Sequence, residues 1–232
     1  MAGVWPTRQG WGTLPASARR SHPIDHPIFT ESIRRIRAQL EARGGAEELT
    51  PLERDVLERC IHSSGDLTIA PDLRFSPGAC GAALAALAAG APILTDTAMA
   101  AAAVAPMAAR TFANPVHCVL AWAPPQAPAA STRTAVGMER ALAELGGGLV
   151  VLVGSAPTAL ERLLERVASG AVPAPALVIG MPVGFVGVAE SKRKLAASGL
   201  AQVRLEGSKG GAALVAAACN ALLRAGWLQA AS

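Results

Sequence analysis

At 232 residues, half of them hydrophobic, the chain is long enough for one sizeable α/β core, though much of that half is alanine and aromatic residues are scarce. Its formal charge of +4 sits at the start: Arg8, Arg19 and Arg20 precede the first acid, and from Asp25 onward 18 basic residues face 17 acidic ones, which argues against a nucleic-acid binder. Cys60, Cys80, Cys118 and Cys219 are scattered without a C-x-x-C pair, which argues against a structural zinc site and suits buried thiols in a reducing cytoplasm.

Residues 1–23, rich in Gly, Pro, Trp, Arg and Ser, contain no continuous apolar run, so an ordinary secretory signal is excluded. They read as a disordered or poorly ordered extension, or, lacking acids, as a transit peptide; a single domain then spans 24–232. A helix from His26 to about Arg43 carries Ile28, Phe29, Ile33, Ile36 and Leu40 and ends at Gly44-Gly45. Thr50-Pro51-Leu52-Glu53 opens a second, with a hydroxyl cap, proline in the first turn and Glu53 completing a capping box. Leu52, Val56, Leu57 and Ile61 form its buried stripe, Arg59 and His62 share another face, and Ser63-Ser64-Gly65 ends it.

Leu67-Thr68-Ile69 reads as a short strand, and Ser76 as the N-cap of an alanine-rich helix with Pro77 in its first turn. Gly90 to Leu94 forms a turn and a buried strand leading to Asp96 as a further N-cap. Gly90, Pro92, Asp96 and Pro106 interrupt residues 78–109, so that stretch lacks the roughly 20 strongly apolar residues a membrane span needs. Val116 to Trp122 alternates like a strand, and after the loop 123–130 a helix runs from about Thr132 to Leu145. Leu149–Val153, Ala176–Gly180 and Val203–Leu205 are strands, the first two continuous apolar runs. Helices follow near 159–168, 189–197 and after Gly211. Strands of this kind alternating with helices define an α/β fold, a three-layer α/β/α sandwich around a mostly parallel sheet. Ligands of such sheets sit beyond the carboxyl ends of the strands.

His62 can titrate near neutrality, and Arg59 beside it offers an anion-binding fork; the same histidine also suits a plain helix C-terminal cap. Gly154-Ser155-Ala156-Pro157-Thr158 and Gly207-Ser208-Lys209-Gly210-Gly211 place small residues before helices, either as tight connections or as anion seats. Neither has phosphate-loop spacing. Ser131-Thr132-Arg133-Thr134 joins hydroxyls to a guanidinium at another helix start. Glu190-Ser191-Lys192 reads as the solvated start of a helix.

These motifs occur in one order: R-C-I-H-S-S-G-D from Arg59, Phe75-Ser76-Pro77-Gly78, Gly90-Ala91-Pro92-Ile93 with Asp96 and Met99, Ser131-Thr132-Arg133, Gly154 to Leu160, Pro182 to Val186 with Ala189 to Lys192, and Gly207 to Gly211. From about His26 to Leu223 the chain resembles the precorrin-8X methylmutase family of corrin biosynthesis, including its cobalt-precorrin-8 branch. The resemblance implies a homodimeric isomerase without cofactor, acting on a tetrapyrrole polycarboxylate; the residues themselves point to the cytoplasm and to no metal, nucleic acid or membrane as partner. The family's reaction moves a methyl group from C11 to C12 by a 1,5-sigmatropic shift, giving hydrogenobyrinate or its cobalt counterpart. Carried onto this chain, the catalytic proton donor and acceptor is His62, and the substrate-binding positions are Ser32, Arg59, Thr132, Arg133, Ser208, Lys209 and Gly210. The chain departs from the family in having no tyrosine, in the alanine run after Asp96 and in its N-terminal extension. A non-catalytic tetrapyrrole carrier and a nucleotide-binding α/β enzyme are the alternative readings.

Overall fold

Helix α1 (Pro27–Glu41) begins at His26, whose Nδ1 accepts the Ile28 N–H at 3.2 Å. This computed structural model describes residues 24–44 and 48–230, so the expected extension over 1–23 lies outside the described residues, as does Gly45. Helix α2 (Pro51–Ser64) carries the expected capping box, with Thr50 N–H donating to Glu53 at 2.9 Å and the Thr50 side chain accepting from Glu53 N–H. Gly65 ends it in the left-handed region at φ 67°, where a Cβ would be strained.

The next stretch differs from expectation. Leu67–Asp72 is a 3₁₀ turn, because Asp66 accepts from Thr68 N–H at 2.8 Å and caps it. A short strand follows, β1 (Leu73–Phe75). Ser76 does not cap a helix. Its hydroxyl accepts the Gln202 N–H at 2.9 Å, and Gly78 leads into α3 (Ala79–Ala88). After β2 (Ile93–Thr95), Thr97 rather than Asp96 caps α4 (Ala98–Arg110). Strand β3 (Val116–Cys118) is shorter than its alternation suggested and turns into a 3₁₀ segment at Val119–Ala121. The remaining elements follow in the expected order: α5 (Arg133–Leu145), β4 (Val150–Val153), α6 (Pro157–Ala168), β5 (Leu177–Gly180), α7 (Val188–Ala197), β6 (Gln202–Leu205) and α8 (Ala212–Gln229).

The sheet runs β1-β6-β5-β4-β2-β3, parallel throughout except for the antiparallel β1–β6 edge. Side-chain alternation divides the interior into two cores. Val150, Leu152, Ile179 and Val203 face α1–α4 and α8, while Val151, Val153 and Val178 face α5–α7. Strands buried on both faces explain why the sequence shows continuous apolar runs rather than alternation.

Helix α8 is the centre of the first layer and packs on α2, α3 and α4. Its alanines let neighbouring backbones come close. Among the described residues it alone is long and apolar enough to cross a membrane by length and composition, yet 67% of that window is buried inside the fold.

Candidate active site

Helix α1 presents Phe29 and Ser32, three residues apart, to Arg59 and His62, three residues apart on α2. Ser32 Oγ lies 2.7 Å from His62 Nδ1. The Phe29 ring meets the imidazole edge-on at 5.2 Å, and the Arg59 guanidinium stacks over the same ring at 4.4 Å. Arg224 of α8 comes within 5.5 Å of that ring and is held by Asp25, with Nε donating to Oδ1 at 2.6 Å. Arg59 has no carboxylate at ion-pair distance among the described residues.

Burial first, then the Arg224 charge, lowers the Arg59 pKa from its ordinary value. His62 lies below the ordinary 6.5, through partial desolvation first and the Arg59 charge second. At neutral pH it is therefore mainly neutral, with Nδ1 engaged by Ser32 and Nε2 open. His62 stands between two clefts. One, of about 760 Å³, includes Ser32, Ile61 and Leu67; the other, of about 400 Å³, is walled by Arg59, Asn220 and the α8 alanines Ala213, Ala216 and Ala217. A third cleft, of about 910 Å³, shares Pro27 and Glu31 with the first and Arg59 with the second. These are ligand-sized spaces, and charged side chains, Arg34, Arg37, Arg59 and Arg224 with Glu31 and Glu58 among them, line the largest.

The Gly207–Gly211 loop reaches the same end of α2. Lys209 Nζ donates to Asp66 Oδ2 at 2.7 Å and also to the Thr68 hydroxyl. Those contacts, Lys209 foremost, draw Asp66 down to about 2. Gly210 is required by closeness, since a Cβ there would fall 2.0 Å from the Met181 carbonyl oxygen. Ser208 is exposed, and its carbonyl accepts the Gly184 N–H at 3.0 Å.

One sequence expectation needs correction here, and one pair of alternatives resolves. Lys192 is not a solvated helix-start residue: it is 1% exposed, and its Nζ donates to Gly207 O at 2.8 Å and Lys209 O at 2.7 Å. The signal was present, for Val188 and Leu195 flank it at helical spacing and put it on the buried stripe. The Gly154 loop, in turn, is not an open anion seat. Fully buried Asp96 fills it, Oδ2 accepting from Ser155 N–H at 2.6 Å and Ala156 N–H at 2.8 Å. Burial raises the Asp96 pKa against those bonds. Gly154 itself abuts Gly211, where a Cβ would lie 2.7 Å from its carbonyl carbon, so the two glycine loops do share one rim.

Thr132 and Arg133 belong to α5, in the layer opposite α2, and nothing among the described residues ties them to the His62 cluster. Thr132 caps α5, and its Oγ1 lies 2.7 Å from Thr158 Oγ1, joining α5 to the start of α6. Arg133 is exposed and its Nε donates to Pro124 O at 2.8 Å. Among the described residues no three His, Cys, Asp or Glu side chains gather as metal ligands would.

A histidine with one nitrogen engaged, beside an arginine that has no carboxylate at ion-pair distance among the described residues, lines clefts in one helical layer of an α/β protein and has the chemistry for proton transfer. Comparison with known proteins makes this specific. The precorrin-8X methylmutase family profile matches residues 27–225. A precorrin-8X methylmutase of Pseudomonas aeruginosa is 46% identical over 84% of this chain and 93% of its own. A cobalt-precorrin-8 methylmutase of Synechocystis is 36% identical over 88% and 98%. A solved precorrin-8X methylmutase of Thermus thermophilus superposes with a TM-score of 0.76 at 40% identity, covering 87% of this chain and 98% of that one. The chain belongs to the precorrin-8X methylmutase family, and it is an isomerase of cobalamin biosynthesis.

Proposed function

We propose that the chain moves a methyl group from C11 to C12 of precorrin-8X, or of its cobalt form, with His62 as proton donor and acceptor. The observation that carries this reading is the Ser32–His62 hydrogen bond beside an Arg59 that has no carboxylate at ion-pair distance among the described residues. Ser32 engages Nδ1 and holds the ring orientation, so Nε2 is the nitrogen available to the ligand. A proton supplied at the macrocycle selects the product tautomer. Substrate and product are isomers, so each proton His62 delivers is matched by one the ring gives up.

The shift itself needs a ring held still, which is an orientation effect. Arg59 receives one peripheral carboxylate, and Ser208, Lys209 and Gly210 a second at the neighbouring rim. Ser32 adds a contact through its hydroxyl. Thr132 and Arg133 bind farther along the carboxyl edge, Arg133 by exchanging the Pro124 carbonyl for a ligand carboxylate. The flat alanine wall of α8 covers a face of the macrocycle. The enzyme works in the cytoplasm as a homodimer, supported by the exposed apolar residues Phe185 and Val186, 95% and 88% exposed beside the substrate loop.

Precorrin-8X mixed with the purified protein tests this, followed by visible absorbance with His62→Ala alongside. We expect conversion to a hydrogenobyrinate-like spectrum by the wild type and not by the variant. Conversion by both would remove His62 from the mechanism; binding without conversion of either the metal-free or the cobalt substrate would make the protein a carrier.

A further inference from the structure

Of the chain's three lysines, Lys192 alone is buried, and it has no carboxylate at ion-pair distance among the described residues. An ammonium ion placed there carries a desolvation cost that a methionine would not. Its bonds go to two carbonyls of one loop, those of Gly207 and Lys209, and the carbonyl between them, of Ser208, is held by Gly184 N–H. A trans peptide points its C=O and N–H in opposite directions. With the oxygens of 207, 208 and 209 drawn toward α7 and the β5–α7 loop, the N–H groups of Ser208, Lys209 and Gly210 point away from it. None of the three has an acceptor among the described residues. Successive free peptide donors whose oxygen ends rest on a buried cation form a concavity for an anion.

We infer that Lys192 is a positioning residue for the substrate: by gripping the Gly207 and Lys209 carbonyls it sets three consecutive peptide N–H groups toward one peripheral carboxylate of the ring. The inference rests on the substrate assignment above. Lys192 does not touch the macrocycle; it acts through the loop.

The charge has a pH signature. Burial, its first cause, brings Lys192 down to about 8, with Glu206 and Asp72 acting the other way. Of the charges around it, Glu206 is engaged with Arg204, Lys209 with Asp66, Glu190 with Arg193 and Lys194 with Glu161, while Asp72 has no ion pair among the described residues. As pH rises through about 8 the cradle loses its cation, while His62, lying below 6.5, has already lost its proton.

The test is titration of hydrogenobyrinate into wild type, Lys192→Met and Lys192→Gln from about pH 7 to about pH 9.5, read by visible absorbance. Wild-type Kd should rise above pH 8, and both variants should show no such rise. At pH 7 Lys192→Met should bind about tenfold more weakly, with KM affected more than kcat. Glutamine keeps a donor for the carbonyls and should fold even if methionine does not. A role confined to stability would lower the melting temperature but leave the pH dependence of binding in the folded variants. A wild-type Kd flat through pH 8, or variants with wild-type Kd, would overturn the role of Lys192 alone. A wild type that binds no corrin at any pH would bring down the substrate assignment, and this role with it.

Discussion

At His62, burial and Arg59 both disfavour the imidazolium, and Ser32 holds Nδ1. Replacing Ser32 by alanine removes one hydrogen bond worth about 1 kcal/mol, so we expect roughly a fivefold loss in kcat/KM with little change in melting temperature. Wild-type kcat/KM should rise as pH falls through a pKa below 6.5, because the donor form of His62 is the protonated one. Stability runs the other way. The folded pKa is depressed, so the unfolded chain takes up the proton first and the fold loses stability as pH drops from 6.5 toward the folded value. Activity that stays flat from neutrality down to pH 5 would dissociate His62 from the rate. Much of this cluster was legible in the sequence, because a capping box, a proline and a terminal glycine are local signals that fix where α2 ends and hence where His62 lies. Phe29 was legible only as core. That it takes Arg59 on one side and His62 on another depends on how α1 docks on α2, which no local pattern encodes.

Among the elements, the join between β2 and β4 turns on Asp96. Its carboxylate leaves the strand it follows and binds the first free N–H groups of the neighbouring β4–α6 loop. Asp96→Ala leaves two donors without partners, at a cost of about 2–4 kcal/mol and a fall in melting temperature of roughly 5–10 °C. Asp96→Asn keeps an acceptor without the buried charge and should lose much less; equal losses for the two would mean that charge rather than acceptance matters. The sequence misplaced this residue because Asp96 and Thr97 are both good N-caps and only the fold decides between them. Ser76 misled for the same reason, its hydroxyl being taken by a strand 126 positions away. Strand β1, three residues long and antiparallel at an edge, carries too little alternation to be seen. By contrast β4 and β5, buried on both faces, declared themselves in composition alone.

For the whole molecule, three of the six exposed large hydrophobic residues among those described lie together on the β5–α7 loop, against the Gly207–Gly211 loop. Phe185 and Val186, with Val183 at 48% and Met99 of α4 at 66%, are exposed to a degree that association would relieve. We expect the wild type to scatter light at twice the chain mass of 23.5 kDa, and a Phe185→Ser, Val186→Ser double variant to shift toward the monomer while keeping its melting profile. A monomeric wild type at micromolar concentration would sink the dimer. The layered α/β/α plan was readable from the order of strands and helices. The use of α8 as the hub of one layer was not, since an alanine-rich helix shows little amphipathic contrast and its burial follows from what surrounds it.

The plugged loop at the start of α6 has a consequence for selectivity. Sheets of this topology commonly offer their helix N-termini to phosphate, and cells are crowded with nucleotides that would compete for such a seat. Here the seat is taken by the protein's own carboxylate, tethered and buried, so a phosphate would have to displace a like-charged group it cannot reach. A corrin intermediate thus meets a protein already closed at this loop to the commonest anions around it.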